Sequence, residues 1–358
     1  MRAHESSEMT AIESIHYQEI AKPLRVRFST AQGSKDVMRS VVVTVALDDG
    51  ATGLGECATS LSLQNETIQT IKNVLADVIP SLYGIPIDEY ELLITQFRRK
   101  YPQHPMTISG LEVALFRAYL ASMGKPEHAH WGGKTRTIET DITIPLVDDI
   151  GFIQRWLQYA FRKGFAVYKL KVSGDVERDK KILSFVYRML SQKLDGFTLR
   201  LDGNQGFNVK TYAQFTEVIQ KAGYAVELFE QPLPKDDLRG HKVVKHFSPF
   251  PVILDETVVT GDDARRVADE NAAHGINIKI AKSGISESKA ILRVAKECGL
   301  KLMIGCMTET MIGLSAAIYL ATGCAAFDYI DLDAIFLIHH KDQFNDITIE
   351  GPRFTLPS

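Results

Sequence analysis

The apolar positions of this chain change period partway along it. Between residues 12 and 60 they fall in short runs broken by turn residues: Val41 to Leu47 is closed by Asp48-Asp49-Gly50, and a second short strand follows. Residues 65 to 123 carry helical spacing instead. The segment TISGLEVALFRAYLASMG repeats its apolar residues along one helix and ends on Gly124, a common helix stop. Beyond about residue 138 short apolar strands alternate with helix-length amphipathic segments. The strand candidates are TDITIPL, VYKLKV, FTLRLDGN, AVELFEQP, PVILDET, INIKIAKSG, LKLMIGCM and DYIDLD. Such alternation implies parallel strands, and eight units imply a (β/α)8-type barrel.

Composition narrows the function classes. The 358 residues, 45% hydrophobic and 24% charged, suffice for a full core and for a barrel with an added cap. A formal net charge of -3 gives no basic field for nucleic acid or an anionic membrane. The polar start MRAHESSEM is not a signal peptide, and no apolar run reaches membrane-spanning length. Four scattered cysteines, Cys57, Cys298, Cys306 and Cys324, form no paired motif and fit reduced thiols in a cytoplasmic enzyme.

The polar residues at the strand ends carry the chemistry. Lys171, Asp202, Glu230, Asp255, Lys279, Gly305 and Asp331 follow one another at steps of 24 to 31 residues, so each occupies the same place in its unit. In a barrel that place is the C-terminal mouth, where active sites form. Lys169 and Lys171 share one face of their strand. Three convergent carboxylates, Asp202, Glu230 and Asp255, repel one another unless a cation joins them, and oxygen-only ligands suit Mg2+ over Zn2+. Single acidic residues at strand ends also serve as helix caps, but three in register point to a metal. Lys171 closes the second strand and Lys279 the sixth, on opposite sides of the ring. A substrate carboxylate on the metal then has a lysine on each face of its α-carbon, and the metal stabilises the enediolate charge that develops. Neutral-pH chemistry calls for a lysine lowered toward about 7 to 8 by burial and by neighbouring positive charge, here Lys169 and the metal.

These residues resemble the muconate-lactonising-enzyme subgroup of the enolase superfamily, and within it the dipeptide epimerases. KLK at 169–171, the ordered set Asp202, Glu230 and Asp255, and Lys279 in NIKIAKSG carry the resemblance. It implies a modified TIM barrel of (β/α)7β type with an N-terminal α+β capping domain. The expected limits are 1–130 for the cap, 131–330 for the barrel and 331–358 for a tail returning to the cap. It further implies that Asp331 and Asp333 in IDLD hold a dipeptide's α-ammonium. Thr143 and Met307, the latter in GCMTET, would border the substrate. The capping loop FSTAQGSKD departs from relatives that meet a glutamate side chain with arginine; it offers Gln32, Gly33 and Lys35. His339 and His340 read as surface residues.

Other readings stay open on the sequence. An o-succinylbenzoate synthase or N-acylamino acid racemase would use the same lysines and ligands without an ammonium clamp. A Schiff-base aldolase would use one barrel lysine and no metal, and a catalytically silent barrel could serve as a binding module. A homo-oligomer is compatible with the chain.

Overall fold

The computed structural model describes residues 10–63, 65–339 and 347–357. It opens with an antiparallel sheet of β1 (Ile12–Thr30), β2 (Gly33–Leu47) and β3 (Thr52–Ala58), in that order. The first two strands extend well beyond the apolar run at 41–47. Along β2 the residues Val41, Val43 and Val45 are buried while Val42, Thr44 and Ala46 are partly exposed, the alternation of a one-sided sheet. Helices α1 (Ile68–Val78), α2 (Tyr90–Lys100) and α3 (Pro105–Ser122) complete the cap. Thr67 starts α1 by accepting from Thr70 N at 3.2 Å. Nearly every position of α3 is buried, because it packs on β2 and β3 and also on a barrel helix. That double burial explains why α3 carries no polar stripe.

A short helix, α4 (Glu127–His130), and strand β4 (Thr137–Glu139) lead into the barrel. Its units run β5 (Ile142–Ile144), α5 (Ile150–Lys163), β6 (Val167–Lys171), α6 (Val176–Lys193), β7 (Thr198–Asp202), α7 (Val209–Ala222) and β8 (Leu228–Glu230). They continue through α8 (Leu238–Phe247), β9 (Val252–Leu254), α9 (Gly261–Asp269), β10 (Gly275–Ile278), α10 (Ile280–Cys298), β11 (Lys301–Gly305), α11 (Met311–Cys324) and β12 (Tyr329–Asp331). Side chains of Asp149, Asp175, Asn208, Asp237, Thr260 and Thr310 cap six of these helices, which is how the chain turns from each strand end into the next helix. Seven helices thus separate eight strands, as the (β/α)7β expectation has it. Neighbouring strands pair in parallel and in chain order. The two ends of the sheet meet through Asp333, which accepts from Thr143 N at 2.6 Å, and Thr140 Oγ1, which accepts from Leu332 N at 2.7 Å.

After β12 a short helix, α12 (Ala334–Leu337), brings Ile338 beside Leu24 of β1. Arg25 fastens this crossing by donating to the carbonyls of Ile338 and His339, both at 2.9 Å. Strands β13 (Thr348–Glu350) and β14 (Arg353–Thr355) then pair with β4 in a separate small sheet. His339 is exposed, and His340 lies outside the described residues. No helix among the described residues is long and apolar enough to cross a membrane.

Candidate active site

Strand register assembles the site. Thr143 on β5 stands beside Lys169 on β6, Lys171 beside Asp202 on β7, and Asp202 beside Glu230 on β8. Asp255 follows β9 and Lys279 follows β10, while Asp331 ends β12. All of these side chains are almost wholly buried. One cavity, roofed by the capping residues Phe28, Lys35 and Leu61, reaches Lys171, Lys279 and Asp333. Lys171 and Lys279 lie on the second and sixth of eight staves, half a turn of the barrel apart.

Each lysine is engaged by carboxylates. Lys171 donates to Asp202 Oδ2 and lies 5.7 Å from the centre of the Phe28 ring. Lys169 contacts Asp331, with Glu230 Oε2 at 3.4 Å and Asp202 Oδ2 at 3.9 Å. Lys279 Nζ is 2.7 Å from Asp255 Oδ2, and Lys282 Nζ is 2.6 Å from Asp255 Oδ1. Gly305 makes room for this arrangement, since a Cβ there would sit 2.9 Å from Lys279 Cε and 2.8 Å from Asn277 Nδ2.

Carboxylates dominate the electrostatics around Lys279 and Lys169. Burial opposes the charge on Lys279, but Asp255 and Glu230 outweigh it and hold the ammonium above the usual lysine range. Lys169 behaves alike, burial being overcome by Asp331, Glu230 and Asp202. Neither lysine is lowered, because their partners are carboxylates at ion-pair distance and the positive neighbours are outnumbered. The carboxylates diverge in response. Burial and the charge of Asp202 push Glu230 up to about 8, and burial with Asp255 pushes Glu256 up to about 7. For Asp255, burial is overcome by Lys279 and Lys282, which hold it well below the usual range.

The donor set fits a hard divalent cation. Asp202, Glu230, Asp255 and Glu256 offer only oxygen, and their mutual repulsion adds to burial in raising Glu230 and Glu256. Glu256 Oε2 is buried without a hydrogen-bond partner among the described residues. Supporting contacts orient the set: Asn277 Nδ2 donates to Glu230 Oε1 at 2.7 Å, and Asn204 N to Asp202 Oδ1 at 2.9 Å. Asp202, Glu230 and Asp255 each engage a lysine, namely Lys171, Lys169 and Lys279. Among the described residues, the acidic trio whose oxygens lie within 4.8 Å of one another is Asp141, Asp331 and Asp333. That trio already holds cations. Arg200 donates to Asp141 Oδ2 at 2.8 Å and Lys169 engages Asp331, so it suits an ammonium group better than a metal.

The remaining sequence candidates line the same cavity. Asp333 is raised to about 6 by burial and by Asp331, whereas Asp331 is lowered to about 2 because Lys169 and Lys279 outweigh its burial. Asp331 Oδ1 is buried and unpartnered among the described residues. Thr143 accepts from Trp156 Nε1 at 2.9 Å, and Met307 N donates to Glu309 at 3.1 Å. Lys35 leaves part of its stem exposed, while its ammonium turns inward to the Thr59 carbonyl at 3.3 Å; burial pushes it down to about 8.

Sequence reasoning overlooked Lys282, Asn277, Asp141 and Arg200. Strand parity marks two of them, since Asn277 shares a face with Lys279 and Arg200 shares one with Asp202. Lys282 and Asp141 sit at a helix start and a strand entrance, where polar residues attract no notice.

Comparison with known proteins agrees with this geometry. Residues 12–126 match the mandelate racemase / muconate lactonizing enzyme N-terminal domain, and residues 152–358 match the enolase C-terminal domain-like family. The chain is 32% identical over 333 residues to an aromatic dipeptide epimerase of Herpetosiphon aurantiacus, covering 92% of each protein. It resembles a substrate-liganded complex of the L-Ala-D/L-Glu epimerase from Bacillus subtilis at 30% identity and a TM-score of 0.90, over 97% of this chain and 96% of that one. A dipeptide epimerase from Enterococcus faecalis, complexed with Mg and L-Leu-L-Tyr, is similar at 25% identity and a TM-score of 0.88, over 97% of both chains. With both of its halves matched in order and its barrel built as described, this chain belongs to the mandelate racemase / muconate lactonizing enzyme family of enolase-superfamily enzymes.

Proposed function

We propose that the chain is a Mg2+-dependent dipeptide epimerase that removes and returns the proton α to the substrate's carboxylate. The observation that carries this reading is the pair Lys171 and Lys279, buried half a barrel turn apart and facing one cavity, with an oxygen-only acidic set on the staves between them. The relatives' names and the Mg-dipeptide complex support the substrate class and the metal.

Asp202, Glu230 and Asp255 would hold the Mg2+, with Glu256 alongside. When bound, it would anchor the substrate carboxylate and offset the negative charge that develops as the α-proton leaves. Lys171 takes the proton from one face and Lys279 returns one to the other; for the opposite epimer the roles exchange. Lys169 keeps a positive charge beneath the reacting carbon and fixes Asp331 through their ion pair. Asp333 and the unpartnered Asp331 Oδ1 are the acceptors left for the dipeptide's α-ammonium. Thr143 steadies Asp333 through its backbone N–H. An N-acylated amino acid has no ammonium to satisfy these carboxylates.

The cap shapes the choice of side chain. Phe28, Leu61 and Leu63 give the cavity an apolar wall that accepts uncharged residues, and Met307 faces it from the barrel. Lys35 is the cationic group that the cap contributes to this wall, and it would meet an acidic second residue as a point charge without an arginine's bidentate grip. The test is exchange of solvent deuterium into the α position across a dipeptide library, with Mg2+. Incorporation confined to N-acylated amino acids, or none with any dipeptide, contradicts the reading.

A further inference from the structure

Lys279 is followed by a chain segment that is not a simple helix. Gly284 has φ 70° and ψ -165°, so α10 splits into a tight turn over 280–283 and a longer helix that resumes after Gly284. Within the turn, the backbone N–H groups of Lys282 and Ser283 both donate to the Lys279 carbonyl, at 3.1 and 3.0 Å. Lys282 also reaches back to Asp255, whose other oxygen takes Lys279. The geometry of this turn therefore fixes the backbone from which Lys279 projects.

The turn is gripped from the cap. Glu112, fully buried in α3, accepts from Ile285 N at 3.1 Å, Ser286 N at 2.8 Å and Ser286 Oγ at 2.5 Å. These are the first amides of the resumed helix, where a carboxylate is favoured. Arg98 of α2 donates to Glu112 Oε2 at 2.8 Å and to the Ser283 carbonyl at 2.6 Å. Ser109 Oγ donates to the Ile280 carbonyl. A Cβ at position 284 would lie 2.0 Å from Glu112 Oε2 and 2.4 Å from Arg98 Nη2, so the glycine serves both the left-handed backbone and the approach of the pair. Lys171 has a different support, the ladder of β6 with β7 and the ring of Phe28.

We propose that Glu112, together with Arg98, is a positioning residue for Lys279, acting through the Gly284 turn and touching no substrate. The proposal rests on Lys171 and Lys279 being the two proton-transfer groups. It makes the Glu112–Arg98 clamp a support for one face of the reaction, because a displacement of about 1 Å at a reacting group can cost about 100-fold in rate.

The experiment uses the full chain with Mg2+ in deuterated water and both epimers of an accepted dipeptide. The epimer served by each lysine is assigned first with Lys279→Met. In Glu112→Gln, exchange through Lys279 falls by about 10–100-fold while exchange through Lys171 stays within about twofold, and KM moves less than kcat. Ser286→Ala, a milder change, shows the same asymmetry to a smaller degree. Equal losses on the two faces, or none, overturn the proposal. Amide hydrogen exchange in the same variants supplies an arm that needs no turnover: residues 279–286 exchange faster and residues 167–172 do not. Unchanged protection of 279–286 overturns the clamp. Wild-type protein that exchanges no dipeptide α-proton overturns the epimerase reading instead, and faster amide exchange confined to 279–286 then still upholds the clamp.

Discussion

Lys171 on β6 stands opposite Asp202 on β7 in the barrel register, and its ammonium donates to that carboxylate. Two residues 31 apart in the chain thus become neighbours at the barrel mouth. The same stagger of strand, helix and strand sets Glu230 beside Asp202. A base and a metal-ligand set therefore emerge from one structural repeat.

The metal prediction follows from that set. EDTA abolishes turnover and Mg2+ restores it. Asn277→Ala, which removes the 2.7 Å support of Glu230, weakens Mg2+ affinity by about 10–100-fold in a Mg2+ titration of activity. Full activity in thoroughly metal-stripped protein rules the metal out.

Asp333 separates dipeptides from their acylated analogues. Removing one charged hydrogen bond to the ammonium costs about 1.5–3 kcal/mol, so Asp333→Asn lowers kcat/KM for dipeptides by about 10–100-fold. N-acylated amino acids lose much less. Equal losses on both substrates show a purely structural Asp333, one that only closes the seam to Thr143.

Lys35 gives a pH signature. Its pKa, lowered by burial to about 8, means that the ammonium is present below that pH and lost above it. KM for a dipeptide with an acidic second residue rises more steeply as pH passes about 8 than KM for an uncharged one, because loss of the substrate's own α-ammonium affects both and loss of the Lys35 charge affects only the first. Lys35→Met removes this difference. A strict preference for an acidic residue that survives Lys35→Met places the recognising group elsewhere.

The sequence disclosed the barrel because its strands are short, apolar and evenly spaced, and each of the eight candidates forms one stave. Lys169, Lys171 and the strand-end carboxylates were legible for the same reason: charge is conspicuous where both faces of a strand are buried. Asp141, Arg200 and Lys282 were not, since their meaning depends on partners in distant units. Glu112 was harder still. It sits on a helix that is buried almost all round, and the backbone amides it accepts from lie more than 170 positions away. For Lys169 and Lys279 the paired carboxylates, which lie in distant units of the chain, outweigh burial and hold the ammonium above the usual lysine range.

The central claim is that two opposed lysines serve the two faces of one α-carbon. NMR in deuterated water tests it most directly, with Lys171→Met, Lys279→Met and both epimers of one accepted dipeptide. Methionine keeps much of the volume, so the barrel fold is expected to persist. Each variant loses epimerisation, and each retains α-proton exchange with one epimer only, the two variants with opposite preference. Sustained epimerisation by either variant contradicts the account, because one base would then suffice.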